Sequence, residues 1–168
     1  MKTWASPSKP SEIQPYPWLS KKAVDFLASL LRKDMTVLEF GAGGSTLWFA
    51  SRVAHVTSYE NDSDWIAVLK KQKPDNVTLR FESLPLKDEQ PADLVFIDGE
   101  PVELRGEWIR SIPQLVKPGG LVVLDNANRM EYRIERNELA AKAKQLERVN
   151  DTSCGTSYTV TEFYRWSA

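Results

Sequence analysis

One passage constrains this chain more than any other: the apolar, β-prone run Thr36-Val-Leu-Glu-Phe40 meets the glycine cluster Gly41-Ala-Gly-Gly44. It then continues as Ser45-Thr-Leu-Trp-Phe-Ala50, which has helical character. That is strand, tight loop, helix, and the alternation repeats along the sequence. Val56-Thr-Ser-Tyr59 reads as a second strand. Asp62 to Gln72 reads as a helix capped by Asp62 or Ser63, and Val77, Leu79 and Phe81 alternate in a third strand. Asp93-Leu-Val-Phe-Ile97, apolar from Leu94 onward, and Leu121-Val-Val-Leu124 read as strands buried on both faces of a parallel sheet. Between these two runs, Leu104, Trp108, Ile109, Ile112 and Leu115 have helical spacing interrupted at Pro113, and Lys117-Pro-Gly-Gly120 forms a turn.

The flanks complete the pattern. A helix from Leu19 to near Arg32, with Ser20 as N-cap, carries Ala23, Val24, Leu27, Leu30 and Leu31 on one face. Asn128 and Glu131 form a capping pair for a long polar helix reaching about Leu146, and Tyr158 to Trp166 is a last strand after a Gly/Ser/Thr loop. Strands and helices alternating through short connections imply right-handed crossovers, hence an α/β doubly wound, mostly parallel sheet with helices on both faces. Residues 1–18 stand apart as an irregular arm, because Pro7, Pro10, Pro15 and Pro17 fall among Ser, Lys and Gln. Trp4, Tyr16 and Trp18 give the arm surface to lay against the body, so it is expected to cover part of an acceptor pocket. Residues 19–168 have the size of one domain.

Composition removes several function classes. With 22 Lys and Arg against 23 Asp and Glu, the net charge of −1 provides no basic field for nucleic acid or a membrane surface. The single cysteine, Cys154, excludes an internal disulfide framework, and the single histidine, His55, excludes a site built on two imidazoles. No run is long and apolar enough for a signal peptide or a membrane span, so a soluble protein in a reducing, cytoplasmic setting is expected.

In a doubly wound sheet, ligands sit at the carboxyl ends of the strands, near the switch in strand order. After the first strand, Gly41, Ala42 and Gly43 offer close backbone approach, and the following helix offers free N–H groups. After the second comes Glu60, nineteen residues beyond Gly41, where a carboxylate can accept from both hydroxyls of a ribose. A ligand containing adenosine follows. The dinucleotide fingerprint would want glycine or alanine at position 46, where Thr46 stands, so an NAD(P)-dependent oxidoreductase is the second choice. A non-catalytic domain that keeps the cofactor cleft is a third.

At these residues the chain resembles the class I S-adenosylmethionine-dependent methyltransferases, whose sheet is Rossmann-like. The resemblance rests on Val37-Leu-Glu-Phe-Gly-Ala-Gly-Gly-Ser45, Tyr59-Glu60, Asp93-Leu-Val-Phe-Ile-Asp-Gly99 and Leu115-Val-Lys-Pro-Gly-Gly-Leu-Val-Val-Leu-Asp-Asn126, in that order. It implies that Glu39 and the backbone around Gly41 and Gly43 hold the methionine part of the cofactor and that Glu60 holds the ribose. It also implies that Ser83 or Leu84 lies along the adenine, and that the last strand is an antiparallel one at the sheet edge.

The acceptor is approached by elimination within the resemblance. Amino-methylating members usually carry Asn/Asp-Pro-Pro-aromatic after the fourth strand, where this chain has Asp98-Gly-Glu-Pro101, and cytosine methylation needs a cysteine after proline, whereas Cys154 follows Ser153. What remains is similar to the small-molecule O-methyltransferases. Asp98 ends the fourth strand and Asp125-Asn126 the fifth, so Asp98 and Asp125 are the catalytic candidates. Asp98 is also a cofactor-contact candidate. Metal-dependent catechol-type members use an Asp, Asp, Asn set, which makes Asp98, Asp125 and Asn126 candidate Mg²⁺ ligands, although their usual lysine after the first aspartate is missing here.

Other residues carry weaker signals. Arg105 and Trp108 follow the fourth strand and are candidates for the acceptor pocket, although a solvated arginine and a core tryptophan are commoner. His55 precedes the second strand and so lies at the opposite pole. Trp48 and Trp65 are spaced as helix-core residues. Arg133, Arg136, Lys142, Lys144 and Arg148 against Glu131, Glu135, Glu138 and Glu147 read as i,i+4 pairing on a solvated helix face.

Overall fold

The computed structural model describes residues 11–154 and 157–167. Five strands, β1 (Thr36–Phe40), β2 (His55–Tyr59), β3 (Val77–Arg80), β4 (Ala92–Ile97) and β5 (Val116–Leu124), are joined in parallel. Two more, β6 (Ala143–Cys154) and β7 (Ser157–Trp166), run antiparallel to their neighbours, and the sheet order is β3-β2-β1-β4-β5-β7-β6. The chain builds outward from β1 in one direction and then returns to build outward from β4 in the other. The crevice of an open α/β sheet therefore opens between the carboxyl ends of β1 and β4.

The helices are α1 (Lys21–Leu30), α2 (Gly44–Ala50), α3 (Ser63–Gln72), α4 (Arg105–Leu115) and α5 (Arg133–Lys142). Alternation along each strand divides the core between the two faces. Leu38, Phe40, Val95, Ile97, Val122 and Leu124 pack with Trp108, Ile109 and Ile112 of α4 and Leu139 of α5. Val37, Val56, Leu94, Phe96 and Val123 pack with Ala23, Val24 and Leu27 of α1 and Trp48 and Phe49 of α2. The parallel α/β architecture and the Ser20 cap, whose Oγ accepts from the amide of Ala23 at 3.3 Å, agree with the sequence reading. No helix among the described residues is long and apolar enough to cross a membrane.

The C-terminal third differs from expectation. The long helix expected to reach Leu146 ends at Lys142, and residues 143–154 form β6, which occupies the sheet edge and leaves β7 inside it. Ala143, Leu146 and Val149 recur every third residue, which a helical reading accepts. In the fold, a register shift between Gln145 and Glu147 lets a strand carry the same spacing. The expected i,i+4 pairs are also replaced by pairs between elements. Glu135 meets Arg110 of α4, and Arg136 and Arg148 converge on the fully buried carboxylate of Glu162 in β7. The capping pair Asn128–Glu131 does not start α5, which begins after Tyr132 without a side-chain cap. Helix α4 runs through Pro113 unbroken, with the ring exposed while Ile112 and Leu115 hold the helix to the core. Phe81 falls beyond β3 and is 54% exposed.

Candidate active site

Each parallel strand hands its last carbonyl to the residue leaving its neighbour. The amide of Gly41 donates to Tyr59 O (2.9 Å), that of Asp98 to Phe40 O (3.0 Å), that of Asp125 to Ile97 O (3.0 Å) and that of Glu60 to Arg80 O (2.9 Å). This lateral bonding brings Gly41, Glu60, Asp98 and Asp125 together at one pole. Gly41, at φ +98°, turns the chain out of β1 against the β4 loop so closely that a Cβ on it would lie 2.4 Å from Gly99 Cα.

Glu39 is the foundation of the glycine loop. Its carboxylate is fully buried, with one oxygen accepting from Ser45 Oγ and the other from Thr46 Oγ1 (2.5 Å) and Ser58 Oγ (2.5 Å). Thr46 Oγ1 also accepts from the amide of Gly43 at 2.9 Å, so the residue that departs from the dinucleotide fingerprint ties the loop to the carboxylate beneath it. Burial raises the Glu39 pKa to about 7, partly offset by the three hydroxyls.

Glu60 sits at the loop's flank. Its Oε1 accepts from the amides of Asn61 and Asp62, both at 2.8 Å. Burial is the main influence on this carboxyl and raises its pKa. Trp65 of α3 donates its indole N–H to Ala42 O. On the other side, Trp108 stacks on Phe40 (5.2 Å, 10°) and donates Nε1–H to Ser83 O at 2.8 Å. That bond fixes the coil after β3, from which Phe81 and Leu84 present half-exposed apolar side chains.

The ends of β4 and β5 bring two acids together. The carboxyl groups of Asp98 and Asp125 stand beside each other, Asp125 is buried, and Asp98 keeps 23% of its side chain exposed. Both pKa values are raised, burial being the first cause, and Asp98 is pushed further by the negative charge of Asp125 beside it. Arg105 of α4 lies directly behind them. Read from sequence as either an acceptor-pocket residue or, more commonly, a solvated arginine, it is 1% exposed, with Nη2 2.8 Å from Asp98 O and 3.5 Å from Asp98 Oδ1.

These residues do not fit the magnesium site expected at Asp98, Asp125 and Asn126. A hard cation needs several oxygens turned to one point. Asp125 Oδ1 instead accepts from Thr161 Oγ1 (2.7 Å), Asn126 turns its amide nitrogen to Thr159 Oγ1 (2.9 Å), and a guanidinium already stands beside the acids. Among the described residues no cluster of three or more His, Cys, Asp or Glu has metal-binding geometry.

Of the N-terminal arm, residues 11–18 are described; the expectations resting on Trp4, Pro7 and Pro10 lie outside the described residues. Ile13 is buried with Ala42 and Leu69, and its backbone is clamped by the Gln72 amide, N to Oε1 at 2.9 Å and O from Nε2 at 3.0 Å. A side chain at Gly44 would strike the carbonyl oxygens of Gln14 and Tyr16, each 2.4 Å from where its Cβ would lie. Trp18, 69% exposed, meets Trp65 edge-on at 6.0 Å. His55 bonds Thr78 at the opposite pole, and Trp48 is core, as their positions in the sequence imply.

The site residues that sequence reasoning missed are Tyr132, Thr159 and Thr161 and the hydroxyls of Ser45, Thr46 and Ser58 beneath the glycine loop, and Arg105 was undervalued. One signal was available for Arg105. It occupies the same helical stripe as Trp108, Ile109 and Ile112, where a charge is buried if the stripe is.

Against known proteins, the model of a methyltransferase domain matches residues 38–124, from β1 through the end of β5. The chain belongs to this methyltransferase family. It is a class I S-adenosylmethionine-dependent methyltransferase, with the Rossmann-like fold of that class. No curated protein sequence matches it. Among solved structures it is similar to the N-methyltransferase NodS from Bradyrhizobium japonicum in complex with S-adenosyl-L-homocysteine (14% identity, 88% of each chain, TM-score 0.68). It is likewise similar to precorrin 8w decarboxylase from Methanobacterium thermoautotrophicum (23%, 92% and 96%, 0.69) and to an rRNA methylase from Streptococcus thermophilus (15%, 88% and 95%, 0.70). The family replaces the oxidoreductase alternative. The methyltransferases among these neighbours differ in the acceptors they name.

Proposed function

We propose that this methyltransferase acts on a hydroxyl of a small molecule and that Asp98 is the group that meets the acceptor. When bound, S-adenosylmethionine supplies a sulfonium methyl for in-line displacement: the acceptor oxygen bonds the methyl carbon while the carbon–sulfur pair stays on sulfur, leaving S-adenosylhomocysteine. Gly41, Ala42 and Gly43 approach the cofactor with their backbone over the base provided by Glu39. Glu60 receives the ribose hydroxyls on the part of its carboxylate not engaged by local amides, and Ser83 and Leu84 flank the adenine. A net charge of −1 favours a small acceptor over a nucleic-acid or membrane partner.

The observation that carries the acceptor assignment is the Asp98–Asp125 pair at the β4 and β5 ends. Asp125 is turned inward to Thr161, while Asp98 keeps an exposed edge at the crevice. A carboxylate with raised proton affinity is a stronger base than a free one, and it takes the hydroxyl proton as the oxygen–methyl bond forms. The test is a screen of hydroxylated and aminated small molecules with radiolabelled S-adenosylmethionine, followed by Asp98→Asn on the acceptor found. The variant is expected to lose about a hundredfold in rate while still binding S-adenosylhomocysteine. Full activity of Asp98→Asn, or turnover confined to amines, overturns the assignment.

A further inference from the structure

Arg105 is the most completely committed side chain at this pole. Its Nε donates to Gly99 O (2.9 Å), Nη1 to Asp125 O (2.6 Å), and Nη2 to Asp98 O (2.8 Å) and toward Asp98 Oδ1 (3.5 Å). Tyr132 closes the back of the arrangement: the guanidinium carbon lies 5.8 Å from its ring centroid, and its hydroxyl donates to Asn126 O at 2.5 Å. Among the described residues, no carboxylate takes the guanidinium fork in the bidentate manner usual for a buried ion pair. The fork is spent on the carbonyls that end β4 and β5, and its charge faces the Asp98–Asp125 pair from behind.

From this we infer that Arg105 is the resident cation of the site: it occupies the role that a divalent ion would fill beside two acids, and by fixing the ends of β4 and β5 it holds Asp98 toward the acceptor. This rests on the reading of Asp98 as the acceptor-side group. The chain's own charge does what a metal would have to be recruited for, and α4 delivers it in fixed register with the strand ends. A cation behind the two acids also offsets the repulsion that arises when both are ionised in a buried site. Arg105 is buried with its N–H groups taken by backbone carbonyls, so its role is one of positioning.

The test separates a charge role from a purely structural clamp by thermal unfolding. In Arg105→Gln the acids lose their counter-charge, and melting falls. Adding Asp98→Asn removes one of the stranded charges, so the double variant is expected to melt about 3 °C or more above Arg105→Gln alone. A clamp acting only through the carbonyls predicts no recovery or a further fall, and that result overturns the inference. If Arg105→Gln does not fold, a cooperative transition in the double variant supports the inference and its absence contradicts it. The wild-type protein gives the second measurement. Exchanging EDTA for excess magnesium is expected to change neither its melting temperature nor its affinity for S-adenosylhomocysteine; a rise of about 3 °C or more in melting would show a cation site that Arg105 does not fill. Binding of S-adenosylhomocysteine to wild type reports on the cofactor half independently, so its loss indicts the functional reading and not Arg105.

Discussion

Gly41 and Gly99 touch backbone to backbone, a Cβ on Gly99 falling 2.9 Å from Gly41 N and equally close to the indole of Trp108. The loop that would cradle the cofactor and the loop that carries Asp98 are thus one packed unit, clamped by a tryptophan whose indole N–H also fixes the Ser83 coil. A methyl group at Gly99 has nowhere to go, because two of its three neighbours are backbone. Gly99→Ala is expected to cost about 1–3 kcal/mol of stability and to weaken S-adenosylhomocysteine binding. Denaturant titration and calorimetry of that variant check both, and wild-type values for both would show that the two loops move apart freely.

The buried Glu39 makes stability depend on pH. Its folded pKa of about 7 lies above the ordinary 4.5, so between these values the native state holds a proton that the unfolded chain has released. Stability contributed by the protonated form is complete below the ordinary value and is lost as pH rises through about 7, up to roughly 3 kcal/mol at 1.36 kcal/mol per pH unit. Glu39→Gln, which keeps an acceptor for the hydroxyls and cannot ionise, should flatten that slope in a series of melts from about pH 4 to about pH 8. An unchanged slope would place the titration elsewhere.

The N-terminal segment should act on the cofactor loop before it acts on any acceptor. Ile13 shares a buried cluster with Ala42, and its backbone is held by Gln72. Ile13→Ala removes about 2 kcal/mol of local packing and is expected to weaken S-adenosylhomocysteine binding severalfold, with a change in the emission of the Trp18–Trp65 pair. Binding and emission equal to wild type would reduce the segment to a passive tail.

Much of this was legible because the residues that matter end buried parallel strands. Glu60, Asp98 and Asp125 each follow a run that sequence alone marks as a strand, Glu39 lies one residue from the end of another, and the strand-end rule for open α/β sheets collects them at one pole. The hydroxyl cage of Ser45, Thr46 and Ser58 was not legible, since it depends on β2 lying beside α2, a relation between segments and not a pattern within one. Residues 143–154 misled for a local reason: apolar positions every third residue suit a helix as well as a bulged strand, and only pairing with β7 decides between them. The metal expectation failed because it took the acids without the arginine that α4 brings behind them.

Catalysis should follow the ionisation of Asp98. Its pKa is raised by burial and by Asp125, and a base works only when deprotonated, so the rate on the identified acceptor should climb with pH through a range above that of ordinary carboxyl groups. In Asp98→Asn that limb should disappear from the pH–rate profile along with most of the rate. A limb that survives the substitution would belong to another group.

S-adenosylmethionine is expected to occupy the crevice between β1 and β4. Titration calorimetry of the purified protein with S-adenosylhomocysteine and with NAD, repeated on Glu60→Ala, addresses this in one experiment. Two hydroxyl bonds to a carboxylate at about 1.5–3 kcal/mol each make the expected loss at least about tenfold. S-adenosylhomocysteine should bind with one site per chain, NAD should give no saturable heat, and Glu60→Ala should show that loss while remaining folded. Binding of NAD alone, or an S-adenosylhomocysteine affinity indifferent to Glu60, would contradict it.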